Sequence, residues 1–327
     1  MPDRRLLAAE FQPNWSSLIG AFHGAFEALG DHPDPDCLMG LSGHAFRASF
    51  SVEDDSLIAP ESWLRVNHEE CLPLYRNMGR EVELVQARGL DDNFAGLKDK
   101  ALRRVERSID RGAPAVAAGL HTAEFGIIRG YNKKTRSLYV STISQEQTGE
   151  TMPLATWPPA PERQLTVFLI GRRAKVRPDE AIREAIAFAC DYAETGEQNA
   201  ADGELPVVHG FKAFDDWAAG LAAGKSINTM AHAYNIQCVL SARRHAAGFL
   251  RRFAVETPVG GPLLAAAKSY AQEVLAWTRL ASLFPYPGVG EIEGSAARME
   301  GSRYLLQALV HERVAIEHLR EALATWR

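Results

Sequence analysis

The sequence predicts an α+β protein whose N-terminal half combines helices with an antiparallel sheet and whose C-terminal half is an all-α helical bundle. In the first half, short β-branched runs alternate with polar turns, which is typical of neighbouring antiparallel strands. From Pro178 onward, apolar residues recur at helical spacing. This change of pattern divides the 327 residues into two expected domains, residues 1–172 and residues 173–327.

The N-terminal half opens with a predicted helix over about residues 15–29. Asn14 has the side chain of an N-cap, apolar residues follow it at helical spacing, and Gly30 ends the pattern. We expect this helix to pack against the antiparallel sheet, which includes the strands at 125–131 and 138–142.

The remaining elements of this half follow from shorter patterns. Two glycines interrupt the apolar run of residues 37–50, which predicts a strand, a turn and a second strand. Further helices are predicted at 69–78 and 98–109, and further strands at 81–86, 114–120, 125–131, 138–143 and 164–170.

The C-terminal half is predicted as five helices with short connections. Their apolar stripes lie, in chain order, at about residues 182–192, 211–221, 228–253, 262–283 and 295–326. Helices that each bury one apolar face pack together as a bundle.

Two charged residues interrupt these apolar faces. Arg243 lies in the middle of a face that includes Leu240 and Leu250, and Glu312 lies in the middle of a face that includes Leu309. Because a buried charge is costly unless it is paired, we favour a buried ion pair with a direct, bidentate guanidinium–carboxylate contact. The alternative is that the two charges line a polar cavity.

Composition excludes several classes of function. Lys and Arg total 36 against 41 Asp and Glu, a net charge of −5, so we expect no nucleic-acid partner. No apolar run reaches the roughly 18–20 residues of a membrane span, and residues 1–15 lack the apolar core of a signal peptide. The four cysteines are widely spaced, which is typical of reduced thiols. These features predict a cytoplasmic protein without a membrane partner.

We expect no metal and no cofactor. His68 and Cys71 offer metal-binding side chains in one cluster, but no second cluster follows at ligand spacing. His311 and His318 share a face of the last helix, where partners for a metal ion are not evident.

One segment is close to a hydrolase motif. Residues 40–44 read Gly-Leu-Ser-Gly-His, whereas the nucleophile elbow of hydrolases is G-x-S-x-G. The second glycine comes one residue early and the chain lacks alternating βα units, so we favour a simple turn.

Three segments carry a resemblance to a known family. Residues 40–47 fit a G-L-S-G-x-x-F-R pattern, residues 124–132 are similar to a strand with a GYD-like ending, and residues 210–217 with 242–250 look like an accompanying helical tail. The chain thereby resembles the papain-like proteins related to the N-terminal region of the butirosin-biosynthesis acyltransferase BtrH. More distantly it resembles the leader peptidases of bacteriocin export. The resemblance implies a papain-like fold for residues 1–172.

The residues that carry catalysis in active papain-like proteins are replaced in this sequence. Such proteins place a cysteine at the first turn of the N-terminal helix, where the helix dipole stabilises a thiolate; here that turn holds serines. The position of the histidine base holds a glutamate, and residues 138–143 contain no acidic residue to orient a base. The resemblance implies a degenerate catalytic site of Ser16, Ser17, His121 and Glu124, with Ser42, His44 and Arg47 as ligand-binding residues.

Two functions follow from this pattern. The first is a non-catalytic papain-like protein of bacterial secondary metabolism that binds a peptide, a carrier-attached acyl group or a small metabolite. The second is an acyltransferase or amide hydrolase in which Ser16 or Ser17 attacks, with His121 or His44 as base. We favour the first, because the Cys–His–Asp pattern is missing. In a third interpretation the helical half serves assembly, for instance as a homodimer.

Overall fold

The computed structural model describes residues 3–53, 56–58, 66–89, 91–159, 164–198, 207–288 and 294–326. Its helices are α1 (Ser17–Ala28), α2 (Pro35–Leu41), α3 (His68–Asn77), α4 (Phe94–Asp110), α5 (Gln145–Thr148), α6 (Pro178–Glu194), α7 (Gly210–Ala222), α8 (Thr229–Ala254), α9 (Gly260–Leu283) and α10 (Ser295–Thr325). Its strands are β1 (Arg4–Leu6), β2 (Ser49–Glu53), β3 (Ser56–Ile58), β4 (Arg80–Ala87), β5 (Ala115–Ala118), β6 (Phe125–Asn132), β7 (Ser137–Ser141), β8 (Thr151–Pro153), β9 (Leu165–Arg173), β10 (Glu197–Gln198), β11 (Val207–His209) and β12 (Ser226–Ile227).

The chain folds as two units, and each unit is built from two separate segments of the sequence. The first unit contains Met1–Leu38 and Asn67–Val176, and the second contains Met39–Val66 and Arg177–Arg327. Both combine helices with sheets whose strands are mostly antiparallel, so the predicted α+β class is confirmed. Within the described ranges, no helix is long and apolar enough to cross a membrane.

The sheet of the first unit has the strand order β4-β9-β5-β6-β7-β8, and β1 also pairs with β6. Every one of these pairings is antiparallel. The predicted strands at 125–131 and 138–143 are neighbours in it, with Ile128 opposite Val140. The β-branched runs therefore formed strands as expected, because such residues pack well on a pleated surface.

Helices cover both faces of this sheet. Successive strand residues point to opposite faces, and on β9 the side chain of Phe168 packs against Phe22 of α1, with ring centroids 5.3 Å apart. The preceding residue, Val167, belongs to the core formed with Val105 and Ile109 of α4. We call these two sides the α1 face and the α4 face. The predicted packing of the first helix against the sheet is confirmed.

The N-terminus of α1 differs from the prediction. The helix begins at Ser17 with Ser16 as its N-cap residue, so the assignment of Asn14 as the N-cap is wrong. The side chain of Asn14 instead accepts a hydrogen bond from the backbone N–H of Ser16, at 2.8 Å. Asparagine commonly forms such a local turn with the backbone two residues on, and here that turn precedes the helix.

The segment 37–50 also differs from the prediction of a strand, a turn and a strand. Its first part lies in α2, and only its last residues enter β2. Asp34 accepts hydrogen bonds from the backbone N–H groups of Asp36 and Cys37, at 2.8 and 3.3 Å, which caps α2. A capping carboxylate just before the apolar run is a helix-start signal that outweighed the two glycines.

The C-terminal half contains the five predicted helices, α6 to α10. The expectation that it is all-α is wrong, however, because β10, β11 and β12 join β2 and β3 in a second sheet. The pairing of β12 with β3 is parallel and the others are antiparallel. Strands of two or three residues are too short to show an alternating pattern. They form through pairing: β11 pairs with β2, β12 pairs with β3, and β10 pairs with β11.

Candidate functional site

Two serines lie where α1 begins, at the candidate catalytic position. The side chains of Ser16 and Ser17 are both buried, with 3% and 6% of their surface exposed. The Ser16 hydroxyl makes no N-cap bond, and its Oγ has no hydrogen-bond partner among the described residues. The first backbone N–H groups of a helix lack partners within the helix, so this end of α1 carries unpaired donors and the positive end of the helix dipole.

Ser17 is bonded to the candidate residue from the sheet. Its Oγ donates a hydrogen bond to Oε2 of Glu124 at 2.5 Å and accepts one from the backbone N–H of Phe125 at 3.1 Å. Glu124 directly precedes β6, so the two bonds tie the first turn of α1 to the start of that strand. The sequence analysis placed Ser17 and Glu124 in one candidate site, and the two side chains are in contact. The hydrogen bond from the N–H of Phe125 was not anticipated.

His121 does not complete a catalytic group with the serines. Its backbone has a φ of +69°, a left-handed conformation that is uncommon outside glycine. Its Nε2 is buried without a hydrogen-bond partner among the described residues. The structure therefore brings together Ser17 and Glu124 and leaves the histidine outside their hydrogen bonds.

The three candidate ligand-binding residues, Ser42, His44 and Arg47, belong to the second unit, whereas Ser17 and Glu124 belong to the first. Ser42 Oγ donates to the Met39 carbonyl at 3.2 Å and accepts from the His44 backbone N–H at 3.4 Å. The hydroxyl thus closes a turn, as the motif 40–44 predicted.

Arg47 is buried in an aromatic environment. Its guanidinium lies over the rings of Phe188 and Tyr192, at 4.8 and 5.0 Å from their centroids. The Tyr192 hydroxyl is 2.8 Å from Nδ1 of His209. Burial, and then the Arg47 charge, lower the pKa of His209 to about 4, so this histidine is neutral at physiological pH.

A buried ion cluster lies among the helices of the second unit, and the predicted pair is part of it. Arg243 Nε donates to Glu312 Oε2 at 2.7 Å, and both side chains are almost completely buried. The predicted ion pair between α8 and α10 is therefore confirmed. The bidentate geometry is wrong: Nε makes the contact, while Nη1 donates to the carbonyls of Ala45 and Arg47, each at 3.0 Å.

The sequence analysis missed the third member of this cluster. Glu273 on α9 is fully buried, and its Oε1 accepts from Arg243 Nε at 3.2 Å and from Trp277 Nε1 at 2.8 Å. Its Oε2 has no partner among the described residues. Glu273 continues the apolar series Tyr270, Trp277 and Leu280, so the same reasoning that found Glu312 would have found it.

Two carboxylates against one guanidinium leave an excess negative charge in a dry interior. Burial raises the pKa of Glu273 well above its ordinary value of 4.5, and the neighbouring Glu312 raises it further, against the opposing effect of Arg243. Burial alone would lower the pKa of Arg243, but Glu312 and then Glu273 raise it overall. A proton on Glu273, which the raised pKa favours, would leave the cluster with one guanidinium and one carboxylate, whose charges balance.

Metal-binding groups are not assembled in the part of the chain that the structure describes. No set of three His, Cys, Asp or Glu side chains there is arranged to hold an ion. His68 packs among the rings of Phe125 and Phe168 and bonds through Nδ1 to the Tyr75 hydroxyl at 3.0 Å. It is a core histidine of the first unit.

No protein-family model matches this sequence, and no curated protein matches it.

Replacing Arg243 tests the energetic role of the ion cluster. Arg243→Ala leaves two carboxyl groups buried without their cation, and we expect the free energy of unfolding to fall by about 3–5 kcal/mol. Replacing Arg243, Glu273 and Glu312 together by apolar residues should recover part of this loss, because no uncompensated charge remains. Urea unfolding measures both effects. Arg244→Ala is the matched control, since this exposed neighbour should change stability by at most about 0.5 kcal/mol. An Arg243→Ala protein as stable as this control would contradict the assignment.

The raised pKa of Glu273 makes stability depend on pH. Above pH 4.5 the unfolded chain ionises Glu273, while the folded chain keeps its proton until the raised pKa is reached. Unfolding therefore releases a proton, and the free energy of unfolding falls with rising pH, by up to about 1.4 kcal/mol per pH unit. Glu273→Gln has no such proton. The stability of the natural protein relative to this variant should decrease in urea unfolding as the pH rises above the ordinary pKa of 4.5. A difference that stays constant or increases would mean that Glu273 is ionised in the folded state.

Proposed function

We propose that this protein is a non-catalytic relative of the papain-like BtrH N-terminal family. Its first unit would bind a peptide, a carrier-attached acyl group or a small metabolite of bacterial secondary metabolism beside the first turn of α1. The arrangement of elements supports this proposal, since a helix with serines at its start packs on an antiparallel sheet. The residue before β6 then faces the first turn of that helix, as a base faces a nucleophile in papain-like enzymes.

The hydrogen bonding of Ser17 is the observation that carries the proposal. A serine nucleophile needs a base that accepts its proton and a free approach to the substrate. The Ser17 hydroxyl donates a hydrogen bond to Glu124, accepts one from the backbone N–H of Phe125 and is only 6% exposed. In this arrangement the two hydrogen bonds hold α1 to β6, and burial leaves the hydroxyl without a free approach to a substrate.

The state of the cysteines supports a cytoplasmic location, which is part of the proposal. None of Cys37, Cys71, Cys190 and Cys238, which all lie in the described ranges, forms a disulfide. Cysteines that form no disulfide are typical of proteins kept in a reducing compartment.

One observation favours the alternative of an active acyltransferase or amide hydrolase. The 2.5 Å bond from Ser17 to Glu124 lies at the helix end where N–H groups are unpaired. In that mechanism Ser17 Oγ would form a bond to the acyl carbon while its proton passes to Glu124 Oε2. The N–H groups of the first turn would stabilise the oxyanion until the leaving group departs with the proton.

Covalent labelling separates the two functions. Folded protein is treated with a fluorophosphonate, and separately with iodoacetamide, and each adduct is located by peptide mass spectrometry. We expect no fluorophosphonate adduct at Ser16 or Ser17, because neither hydroxyl is activated for attack, and no rapid alkylation of Cys37. A serine hydrolase labelled in the same tube shows that the reagent is active.

The non-catalytic proposal would be overturned by a fluorophosphonate adduct on Ser17 that is absent in both Ser17→Ala and Glu124→Gln. That result would establish Ser17 as the nucleophile and Glu124 as its base.

A further inference from the structure

A groove of about 490 Å³ opens on the α4 face of the first unit. It lies between the C-terminal part of α4 and the paired strands β4 and β9, and β4 is the edge strand of the sheet. Its size falls within the roughly 300–1,000 Å³ of small-molecule sites. Ser17 contacts the other side of the sheet through α1, so this groove is separate from the candidate site described above.

The groove exists because β9 provides no side chain beneath the C-terminal part of α4. Leu165 and Val167 of β9 lie in the core under this helix, and Leu169 packs against the same core. The next residue on that face is Gly171, which has no side chain to fill the space. The register of β4 and β9 shifts beside it, and a Cβ at Gly171 would lie 3.1 Å from the Cβ of Glu81. The glycine therefore keeps the groove open.

Three arginines form the helical wall of the groove. Arg104, Arg107 and Arg111 are three and four residues apart, which places them on one face of α4 and its C-terminal end. Arg104 pairs with Glu83 on β4. Arg107 Nε donates to the carbonyl of Arg103 at 3.1 Å. Among the described residues, neither Arg107 nor Arg111 has a carboxylate partner.

The acidic residues nearby are engaged elsewhere. Glu81, which also lines the groove, pairs with Arg76 at 3.1 Å. On α4 itself, Glu106 pairs with Lys133 at 3.2 Å, and Asp110 accepts from a tyrosine hydroxyl of β6 at 2.7 Å. The groove therefore has two guanidinium groups that no carboxylate of the described residues contacts directly.

From this geometry we infer that the groove binds a small phosphate monoester, with the phosphate on Arg107 and Arg111. Guanidinium groups match phosphate oxygens with two parallel hydrogen bonds, and such charge-assisted bonds are among the strongest in proteins. The organic part of the ligand lies over Gly171. Its hydroxyl or amino groups donate to Glu81 and Glu83 on the opposite wall, which distinguishes an ester from free phosphate.

Isothermal titration calorimetry of the full chain with glycerol 3-phosphate and with inorganic phosphate tests this inference. Glycerol 3-phosphate is expected to bind, and more tightly than inorganic phosphate, because its hydroxyls reach the acidic wall. The variant Arg107→Gln with Arg111→Gln keeps two helix-forming side chains but loses both charges. It should weaken binding by about tenfold or more, the effect of losing one or two charge-assisted hydrogen bonds.

The matched control is Arg103→Gln, which removes an exposed arginine of the same helix that does not line the groove. The affinity of this control variant for glycerol 3-phosphate should stay within about twofold of the affinity of the natural protein. If the control and the double variant lose affinity equally, the ligand is attracted by unspecific charge and the proposed site is overturned. Absence of binding at millimolar glycerol 3-phosphate would overturn the inference. So would equal affinity for inorganic phosphate, which would show an adventitious anion only. The result is independent of the labelling experiment, because the two sites lie on opposite faces of the sheet.

Discussion

The second unit is organised around one buried positive charge. The guanidinium of Arg243 on α8 bonds to carboxyl groups on α9 and α10 and to the carbonyls of Ala45 and Arg47, just before β2. A charge taken out of water must have all of its partners in place, since each missing one costs several kcal/mol. The helices α8, α9 and α10 and the segment just before β2 are therefore held together by this one guanidinium group. This explains why residues 39–66, distant in sequence, belong with the C-terminal helices.

The first unit uses the two faces of one sheet for different chemistry. On the α1 face, the hydroxyl of Ser17 donates a hydrogen bond to the carboxylate of Glu124, and this contact holds α1 to the start of β6. On the α4 face, Arg107 and Arg111 form no ion pair with any carboxylate in the described ranges. Satisfied polar groups hold a structure together, whereas exposed and uncompensated ones are available to a ligand. The same sheet thus supports a closed serine–glutamate contact and an open groove.

Sequence patterns predicted the helices and strands that bury one regular apolar face. They missed the features whose form is decided by a few local hydrogen bonds. The helices α6 to α10 and the strands β6 and β7 follow from periodicity, because burial of their apolar residues decides their form. Asn14 and Asp34 act through local hydrogen bonds to the backbone, whose position depends on the path of the chain, so the start of α1 and the form of residues 37–50 were predicted wrongly. The pair Arg243–Glu312 could be found because each charge interrupts an apolar face, whereas Ser17 and Glu124 became candidates only through the family resemblance. The groove could not, since it depends on a glycine in β9 and on which carboxylates are already paired.

Burial and the neighbouring Glu312 raise the pKa of Glu273, and we infer that the cluster around Arg243 holds a proton on this carboxyl group at neutral pH. Infrared difference spectroscopy measures this directly, because a protonated carboxyl group has a C=O stretching band separate from the bands of ionised carboxylates. The account predicts such a band at neutral pH in the natural protein, and its loss in Glu273→Gln. A spectrum in which every Glu and Asp is ionised at neutral pH would contradict the account, since the interior of the helical unit would then carry an uncompensated negative charge.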